Sequence, residues 1–118
     1  MSWDITLVDK DTGKVIEFDK PHNIRGGTYI VGGTTLAWLN VTYNYHDIFT
    51  KVFGKKGIRI LENKTAKESI PILEKAIQKL KNNVSRDYWK PTEGNVKKAL
   101  KGLLRLAKKA PSAIWRIE

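Results

Sequence analysis

Two doubled glycines, Gly26-Gly27 and Gly32-Gly33, stand on either side of a short β-prone run, Thr28-Tyr29-Ile30-Val31. Glycine weakens helix and strand interiors alike, so no long regular element runs across this stretch. His22, Asn23 and Arg25 lie just before the first pair, and Thr34 and Thr35 just after the second. From Lys20 to Tyr45, then, a permissive backbone is crowded by polar side chains. The rest of the chain reads as ordinary strand and helix material arranged around it.

Upstream, Trp3 to Asp9 alternates, with Trp3, Ile5 and Leu7 on one face and Asp4 and Thr6 on the other. Lys10-Asp11-Thr12-Gly13 is turn chemistry, and Lys14 to Phe18 is again β-prone, which predicts an antiparallel hairpin. Pro21 ends it because proline cannot donate to a ladder. Residues 22–27 read as a loop and Thr28–Val31 as a third strand. Downstream, Ala37, Trp38, Val41, Tyr45, Ile48, Phe49 and Val52 make one helical stripe, although Ala37 to Tyr45 also alternates. The helical template covers more residues and predicts one helix from about Thr35 to Phe53, with Thr34 or Thr35 as its cap and Gly54 as its stop. Residues 58–61 suit a short strand or a helical lead-in. Thr65 and Glu68 have capping-box spacing before a helix that runs to Lys81, with Pro71 in its first turn. A last helix spans about Thr92 to Lys109, Pro111 stops it, and Ile114 to Ile117 suits a closing strand. The expectation is one α+β domain over residues 1–118, a small antiparallel sheet (the hairpin plus a third strand) packed against about three helices.

The charge narrows the partners. The chain carries +10, and it is uneven: residues 61–118 hold fourteen Lys/Arg against six Asp/Glu, so +8 lies in that half. Such a balance attracts anions without specifying which. There is no cysteine, which excludes disulfides, thiolate catalysis and cysteine zinc sites. The two histidines, His22 and His46, belong to no metal-spaced set, and no carboxylate cluster accompanies them. Nothing in the spacing supports catalysis, so binding is the favoured class, without cofactor or metal. No apolar run reaches the length of a membrane span, and the first residues lack a signal core, which together predict a cytoplasmic protein.

Strand, glycine-rich loop and helix start form a plausible phosphate cradle, since a helix N-terminus offers free N–H groups and a positive dipole end. In that reading Gly26, Gly27, Gly32 and Gly33 permit close backbone approach, with Thr28 between the pairs. Thr34 and Thr35 hold phosphate, Arg25 neutralises it, His22, Asn23 and Asn40 read polar edges, and Tyr43 or Trp89 stacks. A tight turn with a threonine cap accounts for the same glycines, and His22 and Asn23 equally suit a loop in which they satisfy backbone groups. Trp38 and Tyr45 are core by stripe position. The last helix carries Lys97, Lys98, Lys101, Arg105 and Lys108. Lys97, Lys101, Arg105 and Lys108 share a face, either a solvated one or a nucleic-acid footprint.

The segment from His22 and Asn23 through Gly26-Gly27-Thr28-Tyr29 and Gly32-Gly33-Thr34 to Trp38-Leu39-Asn40-Val41-Thr42-Tyr43-Asn44-Tyr45 resembles a group of short bacteriophage and prophage proteins. The likeness continues through Ser69-Ile70-Pro71-Ile72-Leu73 and Tyr88-Trp89-Lys90-Pro91-Thr92-Glu93-Gly94-Asn95. Leu36 stands where that group often has an acidic residue. The resemblance supplies no catalytic residues. It implies a phage gene acting in a bacterial host cell, where small proteins counter immunity. Two mechanisms fit the residues: a sponge that captures a nucleotide immune signal near His22–Thr35, or a basic protein that engages nucleic acid or a host complex through the last helix. A virion-associated structural protein is a third. A small sponge often needs a second chain to complete its pocket, so a homo-oligomer suits the first mechanism.

Overall fold

The computed structural model describes residues 1–24 and 33–118. In chain order β1 is Ser2–Val8, β2 Glu17–His22, β3 Thr34–Leu36 and β4 Trp38–Thr42. Three helices follow, α1 at His46–Phe53, α2 at Ala66–Gln78 and α3 at Glu93–Lys109, and β5 at Ile114–Ile117 closes the chain. The fold is α+β. β1 lies between β4 and β5 in an antiparallel sheet, while β2 and β3 pair as a separate antiparallel ribbon. No helix among the described residues is long and apolar enough to cross a membrane.

Period-two patterning builds the larger sheet. Trp3, Ile5, Leu7, Leu39, Val41, Trp115 and Ile117 are buried on its inner face, whereas Asp4, Trp38 and Arg116 lie on the other. There the Trp38 indole and the Asn40 amide both donate to Asp4 Oδ1, at 2.9 and 2.8 Å. On the inner face α2 packs along α3, and each fully buried leucine such as Leu73, Leu100 or Leu103 contributes about 2–3 kcal/mol of burial. Trp115 is fully buried and donates its indole N–H to Ser69 Oγ at 2.8 Å, tying β5 to α2.

Three backbone hydrogen bonds close a ring where the two sheets meet. The Leu7 amide donates to the Ala37 carbonyl, the Ala37 amide to Ile16 and the Ile16 amide to Leu7, at 2.9, 2.8 and 2.9 Å. Among the described residues this junction links the segment before β2 to the main sheet at Leu7 and Ala37.

The predicted hairpin is present as the Val8–Val15 bridge, with its turn held by Asp9 accepting from the amides of Asp11 and Thr12. β2 then diverges to pair with β3 and includes Pro21, which the sequence placed as its end; the β2–β3 register shifts between Glu17 and His22. The predicted helix over Thr35–Phe53 is corrected. Only His46–Phe53 is α-helical, preceded by a 3-10 turn at Tyr43–Tyr45 that Thr42 caps. Residues 38–42 are a strand because β1 supplies the whole ladder, from Ser2–Thr42 to Thr6–Trp38, and this outweighs the local helical stripe. Trp38 is accordingly only half-buried on the outer face, whereas Tyr45 is core. Residues 57–61 form a 3-10 turn. The capping box of Thr65 and Glu68 forms, but Pro71 lies inside α2 rather than in its first turn, on the exposed side. The predicted strand Thr28–Val31, with Arg25, Gly26, Gly27 and Gly32, lies outside the described residues.

A basic cleft beside the last helix

With the helix start moved to His46, Thr34 and Thr35 offer no helix amides to a phosphate. Their hydroxyls have local partners: Thr35 donates to Glu17 Oε2 at 2.8 Å, and Thr34 Oγ1 accepts from the Leu36 amide at 3.1 Å. His22 is held by Leu36 as well, its Nε2 lying 2.7 Å from that carbonyl while Nδ1 faces the Ile24 amide at 3.4 Å. A carbonyl can only accept, so Nε2 donates in this contact. Gly33 has φ +77°, and a Cβ there would fall 2.5 Å from Asn23 Oδ1 and 2.9 Å from the His22 carbonyl. Glycine at this position is what lets β3 run against the end of β2.

Asn23 also borders α3. A cleft of about 450 Å³ opens between the 23–24 segment, the connector that precedes α3, and one face of α3 itself. Lys98, Lys101 and Arg105 line it from the helix, three and four residues apart and so on one face. Asn23 faces them, with Ser85 and Tyr88 of the connector alongside. All three cations are exposed, and among the described residues none forms an ion pair. Among the described residues no carboxylate lines the cleft.

Asn95 builds the connector wall. It is 5% exposed, accepts from the Ser85 amide at 3.0 Å and donates to the carbonyls of Asp87 and Lys90, both at 2.9 Å. Below it Tyr45 donates its hydroxyl to the Tyr88 carbonyl. Burial, with the Asp87 carboxylate second, pushes the Tyr45 phenol up to about 12. It therefore stays a neutral donor at neutral pH. The start of α3 is closed to outside anions, because the Gly94 amide donates to Asn83 Oδ1 and the Asn95 amide to Thr92 Oγ1.

Of the residues singled out in the sequence, the structure thus brings together Asn23, Lys98, Lys101 and Arg105. Lys97 turns away and donates to the Leu80 carbonyl and Asn82 Oδ1, at 3.3 and 2.8 Å. Lys108 is exposed but outside the cleft lining. Asn40 lies on the outer sheet face, Tyr43 packs edge-on against Trp3 at 4.7 Å, and Trp89 is exposed beside the cleft without lining it. Ser85, Tyr88, Asn95 and Gly102 are cleft residues that the sequence reading missed. A glycine within the apolar–basic pattern of α3 was the available signal, because it weakens a helix unless another chain segment comes close.

No protein family matches the chain, and no curated protein or solved structure is significantly similar to it.

Proposed function

We propose that this protein binds a phosphate-bearing small molecule in the cleft beside α3, with Lys98, Lys101 and Arg105 as its counter-charges. The observation that carries this reading is a set of three neighbouring cations that, among the described residues, have no partner carboxylate and share an open cleft with Asn23, Ser85 and Tyr88. Like charges gathered on one helical face repel one another, and an anion that binds among them relieves that repulsion. The volume of about 450 Å³ falls in the usual range for small-molecule sites. Asn23 and Ser85 offer donors and acceptors for a ligand's polar edges, and Tyr88 offers an aromatic wall.

From the phage-like motifs read in the sequence we further propose a nucleotide signal of a bacterial host as the ligand, captured in the cytoplasm rather than turned over. Calorimetry with a panel of cyclic and ADP-ribose-type nucleotides tests the proposal. Binding tighter than about 1 mM is expected, weakened about tenfold by Lys101→Ala or Arg105→Ala. No binding at that level by any nucleotide sinks it.

The exposed row of Lys98, Lys101, Arg105 and Lys108 also favours a second reading, in which the same face meets a nucleic-acid backbone. That reading expects a mobility shift at low salt that falls steeply as salt rises, and no shift at low salt rules it out.

A further inference from the structure

A second concavity shares no residue with the cleft. Val52 and Phe53 from the end of α1, Ile60 of the 3-10 turn and Ile72 of α2 form the floor of a groove of about 270 Å³. All four are half-buried, packed against the core on one side and open on the other. Lys64, Lys75 and Lys79 make its rim, and among the described residues no carboxylate lines it and none of the three forms an ion pair. Ile72, Lys75 and Lys79 follow one helical stripe, and Lys75 of α2 lies about 6 Å along the axis from Lys79, the residue that caps its C-terminus.

We propose that this groove docks an acidic amphipathic segment of a partner protein, seating one apolar side chain on the floor and placing carboxylates on Lys75 and Lys79. The argument is charge complementarity around an apolar centre. Protein interfaces combine an apolar core with a polar rim, and a space of this size suits a single anchoring leucine or aromatic ring. Carboxylates four residues apart on a partner helix match the spacing of the two lysines.

The test uses the full chain, labelled with nitrogen-15, and three synthetic helical peptides of equal length. One carries a leucine anchor flanked by glutamates four residues apart, one has those glutamates replaced by lysine, and one keeps the glutamates but replaces leucine by serine. The first peptide is expected to shift the amide signals of residues 57–61 and of α2, with affinity falling at least tenfold in Lys75→Glu/Lys79→Glu. The other two are expected to leave those signals unmoved. The proposal is overturned by an absence of shifts with the first peptide, by shifts confined to residues 98–105, or by equal binding of the serine peptide. Anionic phospholipid vesicles that bind the groove where the first peptide does not would overturn it in favour of a membrane surface.

Discussion

Gly102 and Ile24 occupy a space that admits only one side chain. A Cβ on Gly102 would lie 2.2 Å from Ile24 Cγ2, and Ile24 is 9% exposed. This contact seats the 23–24 segment on α3, and with it Asn23 opposite the cations. Alanine here gains about 1 kcal/mol of helix propensity but overpacks the contact by about 1–3 kcal/mol. Gly102→Ala is therefore expected to be destabilising and to displace Asn23 from the cleft, weakening the ligand binding proposed there. In an Ile24→Ala background the clash disappears and the same substitution becomes stabilising. Urea denaturation of the four-member cycle reads the change of sign, and additivity would mean the two residues are not coupled.

Asn95→Ala removes three hydrogen bonds at once and is expected to cost about 2 kcal/mol. The distinctive outcome is local. Amide exchange in residues 83–90 should accelerate, while that of β1 changes only in step with global stability. Uniform acceleration throughout would mean that Asn95 is not the connector's anchor.

The Trp115–Ser69 bond joins two groups that are both 0% exposed. Ser69→Ala leaves the indole N–H without a partner and is expected to cost about 1–3 kcal/mol. In a Trp115→Phe background, where no indole needs a partner, the same change should cost much less. Equal costs in both backgrounds, read by thermal unfolding, contradict the assignment.

Two pH limbs follow from opposite signs. Glu93 is held below the usual carboxylate value by the Lys81 amide and then by Lys51, and Glu68 by the Thr65 hydroxyl and then its amide. Each has a folded value below its unfolded one. Their contribution is thus complete above the unfolded value of 4.5 and lost as pH falls through the folded one. Tyr45 runs the other way: raised from 10.0 to about 12, it contributes fully below pH 10.0 and loses that contribution as pH rises through 12. Glu93→Gln should flatten the acid limb of a melting-temperature profile and leave the alkaline one, and Tyr45→Phe the reverse. A Tyr45→Phe profile still falling with the wild-type slope above pH 10 would contradict the assignment.

How far the sequence reveals this fold depends on the range of the interactions. α2 and α3 are legible because their determinants are local: Thr65 with Glu68, Thr92 with Asn95, and apolar residues at helical spacing. β4 is not, because Val41 and Tyr45 serve the alternating and the helical template alike, and the decision rests with β1, some thirty-five residues away in the chain. The site divides in the same way. Helical spacing placed Lys101 and Arg105 together, and Asn23 was visible as a polar residue beside glycines. Ser85 and Tyr88 join them only through Asn95 and Tyr45, whose bonds no local pattern announces.

The ring of Leu7, Ile16 and Ala37 works as a clasp. The Ala37 amide meets the Ile16 carbonyl at 2.8 Å, and the ladder of β4, β1 and β5 is complete without β2 or β3. The register of the main sheet therefore does not depend on the β2–β3 ribbon, whereas Gly33 and Ile24 hold that ribbon to its neighbours. A protein built this way keeps the strands that hold it together apart from the ribbon that departs from them.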